Sequence, residues 1–435
     1  MKKRVFNKEV EHEEKILSAL LAGLMAFSML TACGSSGAKS SSDASSKTAD
    51  GSGKTKLSLW TVFTGSDGDI LKKIIKDYNE TNKDNIEVEV DIMPNDTLQS
   101  KLPTAVSTST GPSFVLMGIE YLKQYAENDC LEEINDFWDK SGLKKDNFLS
   151  NVISKSYVGD KQYGVPMQYN LQYLYYNKDL FKAAGISNPP KTLEELRDDA
   201  QKLTDKAKGV YGLALPKDYG YYVQYLWGNG GDVVDVDKNK NMINSNENIK
   251  TLEWIQNMMK EGVSPQCTAA EADTMFQSGQ VAMCMSGPWN INALNGLGMN
   301  YGIAAIPSGS SGAFSAEGGC AYMLPKGADQ KTRDAVYKFM AYWLNDSTLK
   351  EWSMKNGFPV WSNSLMNDSE IKSNEILTEV SKASTIGRDW HLGYKYGSQI
   401  DKDVMNPLME KVLAGEDVRN ALKDASNSLD GILKQ

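Results

Sequence analysis

Trp60, Phe63, Asp67 and Asp69 fall close together, Asn95 and Glu120 follow two later apolar runs, and Arg388, Trp390, His391 and Tyr394 crowd one loop. Rings beside carboxylates and amides suit a ligand with flat apolar faces and hydroxyl-bearing edges, because rings stack on the faces while the polar groups pair with the edges. The carboxylates allow a second chemistry: Asp67 and Glu120 could form the acid pair of a glycoside-cleaving enzyme. Other catalysts lack their parts. With only two histidines, His12 and His391, a histidine-based triad or an HExxH zinc site is hard to assemble. No G-x-S-x-G, P-loop or G-x-G-x-x-G run occurs, and no metal or cofactor is expected.

The elements that must position these residues alternate between strand and helix. Leu57, Leu59 and Thr61 mark a strand ending in the turn 64–69, and Ile70, Leu71, Ile74, Ile75 and Tyr78 mark a helix. Ile86, Val88, Val90 and Ile92 give a second strand, Leu98, Leu102, Ala105 and Val106 a second helix, and residues 114–117 a third, buried strand. A βαβαβ order predicts a parallel sheet with ligands at the carboxyl ends of its strands. Trp60, Phe63, Asp67, Asp69, Asn95, Asp96, Glu120 and Tyr121 all fall in those loops. For any one of them turn formation or capping is an equal alternative; their convergence on one edge favours a site.

Composition bounds the rest. A chain of 435 residues with 41 % hydrophobic side chains predicts two domains with sizeable cores. The formal net charge is −9, which argues against nucleic acid and weakly against highly anionic ligands. Cys130, Cys267, Cys284 and Cys320 show no C-x-x-C pairing; buried thiols are favoured over two disulfides, because a chain this long needs no staples.

At the amino end Lys2, Lys3 and Arg4 precede an apolar run of 15 residues, 16–30. That is short for a membrane span and has the flanks of a signal peptide. Leu30-Thr31-Ala32-Cys33, followed by Gly34 and Ser35, resembles a bacterial lipobox. The resemblance implies removal of residues 1–32, with Cys33 as the lipid-bearing first residue; a buried Cys after an apolar helix is the alternative. Glu9, Glu11, Glu13 and Glu14 lengthen the charged region, so translation could also start further in. The Ser-, Gly- and Ala-rich stretch that completes residues 33–56 has nothing to bury and should be a disordered tether reaching roughly 25 Å.

Between 163 and 203 the pattern is sharpest. Val165, Met167, Tyr169 and Leu171 alternate with Gly164, Pro166, Gln168 and Asn170 as a strand, and a short helix stops at Gly185. Thr192 and Glu195 have capping-box spacing, with Leu193, Leu196, Ala200 and Leu203 as the apolar stripe. Residues 211–215 read as a further strand. Tyr219, Tyr221, Tyr222, Tyr225 and Trp227 then crowd one helix, as core or as rings left facing a cleft. Ile249, Leu252, Ile255, Met258 and Met259 read as core, and Val418, Leu422, Ala425, Leu429 and Ile432 as the packing face of a last helix.

Three stretches resemble the sugar-binding extracellular solute-binding proteins of ABC importers, the family that includes maltose-binding protein. The first is the YG-x-P strand with its LYYNKDLF run and KT-x-EEL helix start, the second the F-x-x-G-x-x-AM run of Phe276, Gly279, Ala282 and Met283 leading to Gly287-Pro288-Trp289, and the third Asn356-Gly357-Phe358-Pro359-Val360. The resemblance covers residues 57–435 and implies a periplasmic-binding-protein-like α/β fold, two lobes joined by three hinge crossovers. The implied first lobe is 57–168 plus 313–345 and the second 169–312 plus 346–435, with the third crossing near 345–350. Gln168, Tyr169, Trp227, Trp289, Glu317 and Gly318 then join the candidate ligand contacts, Trp289 foremost; a structural Trp capping the following helix is the alternative. The implied protein is a monomer, not an enzyme, held by lipid on Cys33 at the outer face of a bacterial cell membrane, of Gram-positive type. Its partners would be a mono- or oligosaccharide, or otherwise glycerol phosphate or a small polar solute, and the permease.

Overall fold

Strand alternation in the first stretch translates into a sheet. The computed structural model describes residues 53–382, 386–391, 394 and 396–435; the leader, Cys33 and the tether as far as residue 52 lie outside the described residues. β1 (Thr55–Thr61), α1 (Ser66–Thr81), β2 (Ile86–Ile92), α2 (Asn95–Ser107) and β3 (Phe114–Gly118) follow the expected order. Both β2 and β3 pair with β1 in parallel. β1 begins at Thr55, so Thr55 and Lys56 belong to the sheet, not to a tether: Thr55 pairs with Ile86 and Lys56 with Glu87.

The stretch 163–203 divides between the two sheets. β4 (Gly164–Leu171) pairs antiparallel with β8 (Ser315–Met323), which in turn pairs antiparallel with β3. The β4–β8 register shifts at Cys320/Ala321, opposite Pro166 and Gln168; proline has no N–H for the ladder, and a bulge absorbs the mismatch. One residue later β5 (Tyr173–Asn177) opens the second sheet, where it is central and antiparallel to β6 (Met283–Ser286) and β7 (Tyr301–Ala304).

The lobes are filled by helices whose apolar faces meet these sheets. In the second, α3 (Leu193–Leu203), α4 (Tyr219–Gly228) and α5 (Asn246–Glu261) bury Leu196, Ala200, Tyr222, Leu226, Leu252 and Ile255. The capping box is formed: Glu195 N–H donates to Thr192 Oγ1 at 3.1 Å and Thr192 N–H to Glu195 Oε2 at 3.3 Å. α6 (Ala269–Gln277) carries the F-x-x-G motif toward β6. Residues 211–215 are extended but form no named strand; Leu213 and Ala214 donate to Val263 O and Met283 O instead of entering one ladder.

In the first lobe α7 (Gln330–Trp343) sets Phe339 against Phe114, ring centroids 5.4 Å apart, and Trp343 against Tyr322 at 5.7 Å. The expected third crossing at 345–350 is not where the chain leaves this lobe. α8 (Asp346–Asn356) continues on it: Trp352 stacks on Phe63 at 5.9 Å, and Trp361 O accepts from Leu149 N–H at 3.0 Å. A Trp that size finds its apolar partners in the first lobe, and this holds the segment there. Only at α9 (Glu375–Lys382) does the chain meet β5, through Tyr173 Oη–H donating to Val380 O at 2.7 Å. β9 (Gly387–Asp389) then joins the end of β8, and α10 (Asn406–Leu413) and α11 (Val418–Leu433) close over α5. The stripe Val418, Leu422, Ala425, Leu429 and Ile432 is buried as expected.

Gln172 sits between β4 and β5, where neither ladder serves its backbone. Ser315, fully buried, does both jobs: its hydroxyl accepts from Gln172 N–H at 2.9 Å and donates to Gln172 O at 2.8 Å. Ser315→Ala leaves these buried groups unpaired and should cost about 1–3 kcal/mol in chemical denaturation; an unchanged midpoint and slope would show that the crossing does not depend on it.

Candidate functional site

Residues of both lobes and of the crossing strands enclose a cavity of about 400 Å³. The loops after β1, β2 and β3 supply Val62, Phe63, Asp67, Asn95, Glu120 and Tyr121. β4 supplies Gln168 and Asn170, and β8 supplies Gly318 and Gly319. From the other side come Asp218, Tyr219 and Tyr221 at the start of α4, then Trp289, Trp390, Asp401 and Asn406. A larger cavity of about 820 Å³ lies outside the β7 edge, lined by Tyr176, Lys191, Glu375 and neighbours. Size does not decide between them: only the smaller one gathers rings and polar groups from both lobes.

Trp289 is set by its local chain. The β6 strand ends at Ser286, and the indole folds back over Gly287, where a Cβ would lie 1.9 Å from the ring. Only glycine fits there. Tyr175 Oη–H donates to Gly287 O at 2.7 Å, and Asp273 of α6 accepts from Trp289 Nε1 at 3.1 Å, Ser286 Oγ at 2.6 Å and Asn290 Nδ2 at 3.3 Å. Burial pushes the Asp273 carboxyl up to about 6, against these hydrogen bonds, which favour the charged form. The half-buried indole lines the cavity while its N–H is tied to Asp273.

Trp390 packs across the start of α4, 5.9 Å from the Tyr219 ring, and a Cβ on Gly220 would come within 3.2 Å of it. Phe63 and Phe358 lie in the wall with Trp352 stacked behind both. Gln168 is held from the same side, its Oε1 accepting from Trp352 Nε1 at 2.7 Å. Asn95 Nδ2 donates to Tyr121 Oη at 3.1 Å. Among the described residues the Asn170 carboxamide has no hydrogen-bond partner.

Three of the lining carboxyls are raised above their ordinary values. Burial raises Asp67, Glu120 and Asp218. Repulsion from Asp389 and Asp401 adds to the shift of Glu120, and His391 opposes it. Asp67 is tied by Gly68 N–H at 2.8 Å and Asp218 by Ala269 N–H at 2.7 Å. Glu120 bends back over Gly118, whose missing Cβ would stand 2.1 Å from Oε1. No Lys or Arg among the described residues lines the cavity, and no group of His, Cys, Asp and Glu among them could hold a metal ion.

Of the residues singled out from sequence, Phe63, Asp67, Asn95, Glu120, Gln168, Trp289, Gly318 and Trp390 line this cavity. Eight others do not. Trp60 is buried under α2 with Leu98 and Leu102, its ring covered by Lys101 Nζ at 4.6 Å, because both faces of β1 are covered. Asp69 is exposed on the first turn of α1 and pairs with Lys72 at 3.4 Å. Tyr169 points from β4 into the core, the side opposite Gln168 and Asn170. Trp227 is buried in α4 with the Arg388 guanidinium over its ring at 4.6 Å, and that guanidinium is neutralised by Asp232 at 2.6 Å. Strand period sends Glu317 away from Gly318 to Lys155, 3.1 Å off. His391 is buried behind Trp390 and Tyr121, ring centroids 3.9 and 5.7 Å away, and Tyr394 donates to Asn239 at 2.6 Å.

Asn170, Asp218, Asp401 and Asn406 are lining residues that no motif marked. Asn170 was legible in the β4 alternation; the other three are brought in only by packing. Cys267, Cys284 and Cys320 are buried free thiols and Cys130 is partly buried. Among the described residues no helix is long and apolar enough to cross a membrane.

The family described as bacterial extracellular solute-binding protein matches residues 73–379. A maltooligosaccharide ABC transporter solute-binding lipoprotein of Streptococcus pneumoniae is 24 % identical over 442 residues, 97 % of this chain and 98 % of that one. The GacH receptor of Streptomyces glaucescens, solved unliganded and with acarbose, superposes with a TM-score of 0.80 at 21 % identity, covering 88 % of this chain and 99 % of that one. UgpB of Mycobacterium tuberculosis, solved with glycerophosphocholine, gives 0.79 at 17 % identity, over 88 % and 99 %. The shared fold is that of two-lobed solute-binding proteins.

Asp273 gives a pH signature. Its folded value of about 6 lies above the ordinary 3.8, so the native state holds a proton that the unfolded chain releases; this contribution is complete below the lower value and lost as pH rises through the upper. Asp273→Asn should therefore gain on the parent between about pH 4 and 7.5, by up to about 3 kcal/mol, in paired urea denaturations. A stability difference independent of pH would contradict it.

Proposed function

The chain belongs to the bacterial extracellular solute-binding family, and we propose that it is the substrate-binding lipoprotein of an ABC importer, capturing a sugar or oligosaccharide between its lobes and delivering it to a membrane permease. The observation that carries this reading is the joint lining of one cavity by Trp289, Trp390, Phe63 and Tyr221 with Asp67, Asn95, Glu120 and Asn170. Indole and phenyl faces cover the C–H faces of a pyranose, and carboxylate and amide edges take its hydroxyls. Closure of the lobes removes both from water and creates the form a permease would recognise. The likeness to the pneumococcal maltooligosaccharide-transporter protein and to the acarbose-bound receptor supports a carbohydrate cargo.

Glycerol phosphate ranks second, supported by the likeness to UgpB. It is weakened by the wall itself, which brings four carboxylates and, among the described residues, no Lys or Arg to the ligand; a phosphate needs several cationic or N–H donors. A glycoside-cleaving activity of Asp67 and Glu120 ranks third. Attachment through Cys33, a monomeric state and a location on the extracellular face of the cell membrane of a Gram-positive bacterium belong to the same proposal.

Thermal-shift screening of the purified protein against mono- and oligosaccharides, with product analysis of each mixture, tests the reading. A shift with the sugar recovered intact is expected; cleavage products would overturn it. For any sugar that binds, Trp289→Ala should weaken affinity by about 1–3 kcal/mol, the worth of one stacked ring, and unchanged affinity would remove Trp289 from the site.

A further inference from the structure

The electrostatics of this cavity are one-sided. Glu120 comes from the first lobe, Asp218 and Asp401 from the second, and all three line the same space. They feel one another: Asp401 adds repulsion at both Glu120 and Asp218. Three cations near the cavity among the described residues are committed elsewhere. Arg388 is held by Asp232, Lys155 by Glu317 and Lys217 by Glu410.

Buried polar atoms beside these carboxylates also lack partners. Asp401 Oδ1 accepts no hydrogen bond among the described residues, and neither ring nitrogen of His391, a side chain 2 % exposed, makes one. His391 Nε2 stands 3.7 Å from Asp401 Oδ2, and its ring touches Trp390 and Tyr121, both of which line the cavity. Hydroxyls of a neutral sugar would give these oxygens hydrogen bonds but leave their charge buried and uncompensated when the lobes close. An ammonium group would satisfy the same oxygens and cancel the charge, beside the π-face of an indole.

We propose that the cleft is matched to an amine-bearing carbohydrate, an amino sugar or aminated oligosaccharide, whose protonated nitrogen sits among Glu120, Asp218 and Asp401. This rests on the carbohydrate reading above and narrows it.

The proposal fixes the sign of the pH dependence. Among the described residues the acids and the histidine facing the position are Asp67, Glu120, Asp218, Asp389, His391 and Asp401, with Tyr121, Tyr219, Tyr221 and Cys320 also in the wall. A cation lowers the carboxyl pKa values and releases protons on binding, so affinity rises as pH rises over about pH 5 to 7, where the amine stays protonated. A neutral sugar raises them by desolvation, takes up protons and binds more tightly as pH falls.

The test is calorimetric titration of the full-length protein with matched pairs: glucosamine oligomers of one to four rings against the glucose oligomers of the same linkage, and acarbose against maltotetraose. The amine-bearing member of any binding pair is expected to be at least tenfold tighter at neutral pH, to lose that margin in molar salt, and to bind more weakly as pH is lowered from about 7 to 5. Asp401→Asn should weaken the amine at least fivefold more than its neutral counterpart, and Glu120→Gln serves if that variant does not fold. Neutral sugars binding as tightly as their amines, or tighter, overturn this inference and leave the carbohydrate reading standing. No binding by any member, nor by any sugar of the thermal-shift panel, overturns both.

Discussion

The pairing of β4 with β8 is the constraint on which the other features depend. These antiparallel strands carry the chain into and out of the second lobe, so whatever lines the gap between the lobes is placed relative to them. Period two does the sorting. Val165, Met167, Tyr169 and Leu171 go to the core, while Gln168 and Asn170 reach the cavity from the intervening positions. A one-residue slip would exchange the two sets. Register is pinned by the bulge beside Pro166, by Trp352 on Gln168, and by Ser315 spanning the break at Gln172.

The site built around this pair combines apolar order with electrostatic tension. Trp289 and Trp390 are held by glycines that let an indole lie flat on backbone, at Gly287 and Gly220, so neither ring must be ordered when a ligand arrives. The carboxylates have the opposite character. Asp67, Glu120 and Asp218 are raised by burial, and each is poised to gain from a ligand that supplies donors or positive charge. Rigid rings set the shape of the wall, and the buried acids set its charge.

Much of the fold was legible in the sequence because it rests on local signals. Strand alternation, the Thr192–Glu195 capping box and the apolar stripe of the last helix each needed only a few neighbouring residues, and all are formed. Loop-end residues after parallel strands were equally readable, so the place of Phe63, Asp67, Asn95 and Glu120 in the cavity wall followed from topology alone. What escaped depends on contacts far apart in the chain. Trp60 looked like a site residue until α2 covered it, Arg388 until Asp232 neutralised it, and Trp352 kept α8 in the first lobe where the motif pattern implied a crossing. Asp401 and Asn406 sit in a segment with no motif, and only the docking of α10 against α4 brings them to the wall.

If two lobes close around a hydroxyl-rich ligand and release it intact, the molecule must become more compact when it is loaded. Small-angle scattering of the purified protein, with and without a saturating sugar that binds, measures this directly. The account predicts a smaller radius of gyration in the loaded state and unaltered sugar afterwards. Superimposable scattering curves with the sugar bound would contradict it.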